Sequence, residues 1–165
     1  MANITLGGTP ATTVGDIAQI GDKLKDFTLV SPDMSSKTLA GFTGKKLVFN
    51  IFPSVDTGVC AQSIRTFNKE AASMENTVVL NISKDLPFAQ KRFCGAEGIE
   101  NVEMLAEYRN NNFSESYKVL ISNGAFEGLM SRAVITANEN GEVLYSEQVP
   151  EIGQEPNYQA ALASL

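Results

Sequence analysis

The chain has 165 residues, of which 43% are hydrophobic and 19% are charged, and its formal net charge is −6. This length and composition predict a single domain over residues 1–165. The acidic balance argues against nucleic acid or an anionic membrane as a partner, since both bind basic surfaces. No apolar run reaches the ~20 residues of a membrane-spanning helix and the N-terminus lacks a signal-peptide pattern, so we expect a cytoplasmic protein.

Short apolar runs separated by turn residues predict strands in the first third of the chain. Gly7 and Gly8 separate two such runs and are typical of the turn of a small β-hairpin. Pro53 ends the last of these strands, because it has no backbone N–H to give to a neighbouring strand. The predicted strands are residues 4–6, 11–14, 27–30, 38–39 and 47–52.

The rest of the chain predicts an alternation of helices and strands. A strand, a helix and a second strand in succession imply a parallel pair joined by a right-handed crossover. Asp85 and Pro87 are placed to cap and to begin a short helix, and Gly95 and Gly98 are placed to end it. The predicted elements are strands at 77–82 and 102–105, helices at 86–93, 113–117 and 156–165, and a hairpin of 132–136 and 142–146.

A helical pattern begins shortly after Pro53. The apolar positions on one face of this helix are Cys60, Ile64, Phe67, Ala71 and Met74. Cys60 therefore lies in the first turn, where free backbone N–H groups and the helix dipole favour an anion such as a thiolate. The alternative is that Cys60 is only a small apolar residue in the core-facing stripe of an ordinary helix.

The inventory of reactive side chains is short. There is no histidine, which excludes Ser-His-Asp and Cys-His catalysis and removes the commonest metal ligand. Cys60 and Cys94 are the two cysteines, and they do not form a Cys-x-x-Cys motif. No phosphate-binding loop or dinucleotide fingerprint is present, so we expect neither a cofactor nor a metal. In a reducing compartment, such a pair is more typical of catalysis or redox sensing than of a structural disulfide.

The stretches around the two cysteines resemble a known family. Pro53, Thr57 and Cys60 stand in the order Pro-x-x-x-Thr-x-x-Cys, which resembles the active-site signature of the peroxiredoxins. The longer runs at residues 50–61 (NIFPSVDTGVCA) and 85–98 (DLPFAQKRFCGAEG) are similar to one branch of that family, the bacterial thiol peroxidases. The resemblance extends over nearly the whole chain.

This resemblance implies a thioredoxin-like α/β fold, with a central mixed β-sheet flanked by helices and an N-terminal β-hairpin. Periodicity by itself supports only a single α/β domain. The resemblance also implies a thiol-dependent peroxidase of antioxidant defence, which forms homodimers, is reduced by thioredoxin and prefers alkyl and lipid hydroperoxides to hydrogen peroxide. The apolar residues near the Cys60 turn that fit such a substrate are Phe52, Val55, Phe88, Phe93 and Leu129.

The resemblance further implies roles for individual residues. Cys60 is the expected attacking thiolate, which becomes a sulfenic acid, and Cys94 is expected to condense with it to an intramolecular disulfide. Thr57 is expected to donate to the sulfur or the peroxide, and Pro53 to shape the turn and shield the sulfur. Arg132, in the run SRAV, is expected to stabilise the anion. A disulfide needs Cα atoms within about 7 Å, and we do not expect two cysteines on separate predicted helices to meet that distance in the resting fold. We therefore expect the end of the Cys94 helix, which is followed by glycines, to unravel when the disulfide forms.

The residues themselves leave alternatives open. Arg65 and Arg92 compete with Arg132 on the sequence alone, and each arginine could be an ordinary surface residue. Cys94 could be a buried thiol at a helix end. A non-catalytic peroxide sensor, which relays oxidation to a partner protein, would use the same two cysteines. A disulfide oxidoreductase on the same fold would normally carry Cys-x-x-Cys, which is absent.

Overall fold

The structure is a computed structural model that describes all residues from 1 to 165. The strands are β1 (Asn3–Leu6), β2 (Thr9–Thr12), β3 (Thr28–Val30), β4 (Ser36–Thr38), β5 (Lys46–Ile51), β6 (Thr77–Ser83), β7 (Glu103–Ala106), β8 (Ala133–Ala137) and β9 (Val143–Gln148). The helices are α1 (Gly58–Ala71), α2 (Pro87–Glu97), α3 (Asn112–Ser116) and α4 (Tyr158–Ala163), with a 3-10 turn at Leu39–Phe42.

The strands form two sheets. β1 and β2 pair in antiparallel fashion across Gly7 and Gly8, whose φ angles of 59° and 84° suit a tight hairpin turn. The other strands form one seven-stranded sheet in the order β4-β3-β7-β6-β5-β8-β9. β5, β6 and β7 run parallel to one another and the remaining pairs are antiparallel, so the sheet is mixed. The predicted hairpins and the predicted parallel pair are confirmed.

The parallel strands bring three loops to one edge of the sheet. β5 lies between β6 and β8 and is connected to β6 through α1. Because β5, β6 and β7 are parallel, their carboxyl ends meet at the same edge. The segments that follow these ends include the turn before Cys60 and the residues that lead into α2. The two cysteine-bearing helices therefore begin side by side.

The sheet is packed on both faces because side chains of β5 alternate between them. Phe49 faces an aromatic cluster that includes Phe27 and Phe113, and the Phe27 and Phe49 rings are 5.9 Å apart and nearly perpendicular, at 84°. Val48 faces the opposite side and packs with Phe67 of α1. α4 lies on this second face as well, and α2 packs there beside α1 against Met104 of β7, so three helices cover it.

Helix ends differ from the predicted ones. α1 ends at Ala71, so Met74 lies in the following turn and not on the helix face. α2 continues past Gly95 to Glu97 and ends at Gly98, whose φ of 66° and ψ of 36° are left-handed. Glycine adopts that conformation without steric cost, which explains why the helix ends at the second glycine and not at the first. α4 is also shorter than the predicted C-terminal helix.

The prediction that Asp85 caps α2 is wrong. The N-cap residue is Leu86, and no side chain caps this helix end. The physical reason is that the Asp85 carboxylate already accepts hydrogen bonds from the turn that precedes α1, including one from Ser54. A carboxylate occupied in this way is not available to the first turn of its own helix.

Phe67 provides a test of the described packing, since it is fully buried and its ring meets Tyr158 edge-to-face at 5.2 Å. We expect Phe67→Ala to lower the free energy of unfolding by about 3–5 kcal/mol, because it leaves a cavity in a packed core. Urea unfolding followed by circular dichroism measures the change. Phe88→Ala is the matched control, because that ring is 65% exposed. Equal losses in the two variants would contradict the packing.

Candidate active site

The first turn of α1 carries Cys60 at the carboxyl edge of the sheet. Thr57 is the N-cap residue, with an extended backbone (φ −104°, ψ 143°), and Cys60 is the third helical residue. Cys60 is fully buried, at a position where the N–H groups of the first turn lack acceptors within the helix. The Thr57 hydroxyl donates to the Ser54 carbonyl oxygen at 3.2 Å and not to the sulfur. The helix end therefore supplies a local environment that favours a negative charge.

A buried guanidinium lies against the Cys60 sulfur. Arg132 directly precedes β8 and is 1% exposed. Its Nη2 donates to Cys60 Sγ at 3.2 Å and its Nε donates to the Ile152 carbonyl oxygen at 2.7 Å, while Nη1 has no protein partner. Arg132 takes part in none of the ion pairs with carboxylates. A buried cation without a carboxylate partner favours an anion beside it, and the adjacent Cys60 thiol can become one.

The geometry separates the three arginines that competed on the sequence alone. Arg65 forms a two-pronged ion pair with Glu97, with N···O distances of 2.8 and 2.9 Å. Arg92 pairs with Asp56 at 2.9 Å. The side chains of Arg65 and Arg92 are 42% and 62% exposed. Arg132 is therefore the arginine that the structure brings to the sulfur.

The turn between β5 and α1 is bound to the segment that leads into α2. Pro53 is buried at the start of this turn. Ser54 Oγ donates to Asp85 Oδ1 at 2.7 Å, and the Val55 N–H donates to Asp85 Oδ2 at 2.9 Å. Ser83 Oγ also donates to this carboxylate, at 2.6 Å. Asp85 thus connects the Cys60 turn to the helix of the second cysteine, a contact that the sequence did not reveal.

Cys94 lies in the last turn of α2, as predicted, and is half-buried. It packs against an apolar cluster that contains Cys60 and Phe93, so a single cluster adjoins both sulfur atoms. Both cysteines are free thiols. Burial raises the pKa of the Cys94 thiol. This thiol is therefore protonated near neutral pH while α2 is intact.

The two halves of α2 are held in different ways. In the first half, Gln90 is fully buried and its Nε2 donates to the Leu105 carbonyl oxygen at 3.0 Å. In the second half, Phe93 is buried, but the polar contacts are the exposed ion pairs of Arg92 and Glu97. Exposed ion pairs contribute at most about 1 kcal/mol each to stability. The first half is thus anchored to the sheet, and the second half is held more weakly.

A pocket of about 370 Å³ opens beside the N-terminus of α1. Thr57 and Arg132 line it, and a backbone segment at residues 151–154 forms one wall. Its apolar lining consists of Leu6, Val59, Phe126 and Ile152. The sequence did not indicate three of these four residues as pocket lining. Leu6 comes from the N-terminal hairpin, and Phe126 and Ile152 come from two loops that are distant along the chain.

The apolar residues predicted to meet the substrate lie elsewhere. Phe52, Val55 and Phe93 are buried in the cluster around Cys60, Phe88 is exposed and Leu129 is half-buried. None of the five lines the pocket that reaches Arg132. Phe52, Val55 and Phe93 point inward from the buried turn and pack around the cysteine, so other side chains line the pocket beside Arg132.

The polar and charged groups that line the pocket include the Arg132 guanidinium, the Thr57 hydroxyl and the Glu151 carboxylate, and Arg132 in turn contacts the Cys60 thiol. No group of three or more Cys, Asp or Glu side chains is arranged to hold a metal ion. No helix combines the length and the apolar character that crossing a membrane requires.

Known proteins are similar to this chain in sequence and in fold. A family model described as redoxin matches residues 19–162. A thiol peroxidase from Corynebacterium glutamicum is 50% identical over 165 residues, which covers 100% of this chain and 99% of the relative. The crystal structure of a peroxiredoxin-like protein from Aquifex aeolicus superposes with a TM-score of 0.92 at 38% identity, covering 98% of this chain and 94% of that chain. A thiol peroxidase from Chromobacterium violaceum shares the fold, with a TM-score of 0.90 at 24% identity and the same coverages of 98% and 94%.

The class of this protein follows from these matches together with the mixed sheet and its flanking helices. The chain belongs to the redoxin family and, within that family, to the thiol peroxidases. The predicted thioredoxin-like fold, with its central mixed sheet and N-terminal β-hairpin, is confirmed. The roles of the individual site residues remain predictions.

The contact between Arg132 and the sulfur can be tested by alkylation of Cys60 with iodoacetamide as a function of pH, in a Cys94→Ser background. We expect Arg132→Met to move the profile to higher pH by about one unit or more, because the thiolate loses the cation beside it. Arg65→Met and Arg92→Met are matched controls that remove the same charge from positions without contact to the sulfur. An unaltered profile in Arg132→Met, or equal shifts in all three variants, would contradict the electrostatic role of Arg132.

Proposed function

We propose that this chain is a thiol-dependent peroxidase that reduces hydroperoxides with Cys60 as the attacking sulfur. The observation that carries the proposal is the contact of a buried guanidinium, without a carboxylate partner, with a cysteine sulfur at a helix N-terminus. Burying an uncompensated charge costs several kcal/mol, so a purely structural cysteine would be a poor neighbour for Arg132. Membership of the thiol peroxidases supports the same activity.

The proposed first step is attack of the Cys60 thiolate on the terminal oxygen of the hydroperoxide. An S–O bond forms as the O–O bond breaks, so the sulfur is oxidised to a sulfenic acid and the peroxide is reduced. The leaving alkoxide takes a proton from solvent and departs as an alcohol. Nη1 of Arg132 has no protein partner and is available to donate to that leaving oxygen while Nη2 remains on the sulfur.

Thr57 and Pro53 complete the proposed site. Thr57 lines the pocket, and rotation of its hydroxyl away from the Ser54 carbonyl would allow it to donate to the bound peroxide. Pro53 is buried at the base of the turn, where its ring excludes water and its missing N–H leaves no donor unsatisfied. In this proposal Thr57 donates a hydrogen bond to the peroxide, and Pro53 shapes the space in which the peroxide meets the sulfur.

Access to the sulfur requires a small movement of the chain. Cys60 has no exposed surface, whereas Thr57, Gly58 and Val59 face the pocket. A peroxide that enters the pocket therefore meets the first turn of α1 before it meets the sulfur, and an outward shift of that turn is part of the proposed reaction. The apolar lining of the pocket supports a preference for alkyl and lipid hydroperoxides over hydrogen peroxide.

Cys94 is proposed as the resolving cysteine. Its sulfur attacks the sulfenic sulfur of Cys60, an S–S bond forms, and the displaced hydroxide leaves as water with the proton of the Cys94 thiol. Release of the second half of α2 would expose this thiol and remove the burial that raises its pKa. The same movement that brings the cysteines together would therefore make Cys94 a better nucleophile.

A dithiol protein of the thioredoxin type is the proposed reductant. Thiol–disulfide exchange with the Cys60–Cys94 disulfide returns both thiols and leaves the partner oxidised. A reducing compartment such as the cytoplasm sustains this cycle and is the proposed location. We also propose a homodimer, as the family resemblance implied, and a single domain over residues 1–165, as the length and composition predicted.

The function is tested by following NADPH consumption with thioredoxin, thioredoxin reductase and cumene hydroperoxide. We expect sustained, peroxide-dependent turnover by the wild-type protein and none by Cys60→Ser, because a serine hydroxyl is not ionised near neutral pH. Cys94→Ser is the matched control. It should reduce the first equivalent of peroxide at the wild-type rate and then stall as a sulfenic acid, seen as a gain of about 16 Da in intact mass.

Two outcomes of this assay would overturn the proposal. Wild-type consumption that stops after about one equivalent would identify a peroxide sensor that does not turn over. Sustained thioredoxin-dependent turnover by Cys94→Ser would remove the second cysteine from the mechanism.

Formation of the Cys60–Cys94 disulfide also predicts which part of α2 unfolds locally. We expect faster amide hydrogen exchange at residues 92–98 in the disulfide form than in the dithiol form, because exposed ion pairs hold that half of α2. Residues 87–90 should be unaffected, because Gln90 is bonded to the sheet. Mass spectrometry of peptic fragments measures both regions, and peroxide-treated Cys94→Ser is the control. Equal changes along the whole of α2 would contradict this division.

A further inference from the structure

The carbonyl group that holds Arg132 belongs to a peptide unit that is bound on both sides. Arg132 Nε donates to the carbonyl oxygen of Ile152 at 2.7 Å. The N–H of the same peptide unit belongs to Gly153, and it donates to Glu151 Oε2 at 2.7 Å. One peptide group thus bridges a carboxylate and a guanidinium, and the guanidinium in turn contacts the Cys60 sulfur.

The Glu151 carboxylate is itself firmly placed. Its Oε1 accepts from the Gly8 N–H at 2.8 Å and from Thr5 Oγ at 3.0 Å. The Gly153 and Gly8 N–H groups lower the pKa of this carboxyl to about 2, so it is charged throughout the neutral range. The main chain adds further contacts, because the Ile152 N–H donates to the Thr5 carbonyl oxygen at 2.9 Å. The carboxylate therefore joins the N-terminal hairpin to the loop that holds Arg132.

The Ile152 carbonyl is important for the position of Arg132 because the guanidinium has few other hydrogen-bond partners. Besides the sulfur, the Ile152 carbonyl is the protein acceptor that Arg132 uses, and Nη1 is unpartnered. The Ile152–Gly153 peptide lies in a turn next to a residue without a side chain, so its plane can rotate unless its N–H is held. A charged acceptor on the N–H also polarises the peptide and strengthens its carbonyl as an acceptor.

We propose that Glu151 is a positioning residue for the Cys60 site, which fixes the Ile152–Gly153 peptide in the orientation that keeps Arg132 against the sulfur. This proposal rests on the proposed function only in taking Cys60 as the reactive sulfur. Glu151 lines the same pocket as Arg132, so it is also close enough to influence the sulfur directly through its charge.

The two effects of Glu151 on Cys60 have opposite signs, which allows them to be distinguished. By direct electrostatics, loss of a nearby negative charge favours the thiolate and moves alkylation to lower pH. By positioning, loss of the carboxylate frees the peptide and loosens Arg132, which disfavours the thiolate and moves alkylation to higher pH. The direction of the shift therefore identifies which effect prevails, and a merely structural role for Glu151 predicts no shift.

The experiment measures the pH profile of iodoacetamide alkylation in Cys94→Ser backgrounds that carry Glu151→Gln or Glu155→Gln. Glutamine at position 151 keeps one acceptor oxygen, replaces the other with an NH2 donor and carries no charge, so it cannot accept from the Gly153 and Gly8 N–H groups on both sides. We expect its profile to move up by about one pH unit, which slows alkylation about tenfold below the midpoint. Glu155→Gln removes the same charge from the same segment, where the carboxylate accepts only from the Tyr158 hydroxyl at 3.0 Å, and should leave the profile unchanged.

A third variant separates the peptide contact from the docking of the hairpin. Thr5→Val removes the hydroxyl that donates to Glu151 but leaves the bond to Gly153, so we expect its profile to match that of the parent. The proposal is overturned by no shift or a downward shift in Glu151→Gln, or by an equal upward shift in Thr5→Val or Glu155→Gln. Alkylation requires no peroxide, so the test of Glu151 does not depend on peroxidase turnover. An absence of turnover in the wild-type protein would contradict the proposed function, but the alkylation profiles would still show whether Glu151 positions Arg132.

Discussion

The contact between the buried Arg132 guanidinium and the Cys60 sulfur is the interaction on which the rest of the site depends. A buried cation is costly unless an anion and well-placed acceptors surround it. Here the Ile152 carbonyl provides an acceptor and the sulfur provides the group that can carry the charge. The sheet makes the contact possible, because Ile51 at the end of β5 pairs with Ala133 at the start of β8. Arg132 therefore lies beside the turn that leads into the cysteine helix.

The same region must also release the second cysteine, and the structure divides that task along α2. Its first half is bonded to the sheet through the buried Gln90, while the second half ends at a left-handed glycine and uses exposed ion pairs. Asp85 fixes the base of the helix and the Cys60 turn together. In the proposed reaction, a stable base and a weakly held end would allow local unfolding without loss of the reactive turn.

The N-terminal hairpin belongs to the site and is not an appendage to the fold. Leu6 and Gly7 form part of the pocket wall, and Ile4 and Ala11 pack with Ile152 in a small apolar cluster. The Glu151 carboxylate connects this hairpin to the peptide that holds the guanidinium. Packing of the hairpin, shape of the pocket and placement of the charged group beside the sulfur are therefore physically connected.

The sequence by itself determined the local features of this protein: the strand, turn and helix around Cys60, the two hairpins and the parallel pair that α1 connects. These depend on side-chain period and turn chemistry, which act between residues that are close along the chain. The family resemblance had already singled out Arg132, but only the tertiary structure decided which backbone group holds its guanidinium against the sulfur, where the Asp85 carboxylate binds and which apolar residues line the pocket. Those outcomes depend on strand register and on loops that come from distant parts of the chain, such as Arg132 beside Cys60 and Glu151 beside Gly8. Local sequence does not indicate which distant backbone group will accept a hydrogen bond from a buried cation. The contact of Arg132 with the Ile152 carbonyl, and its support by Glu151, could therefore be identified only in the folded chain.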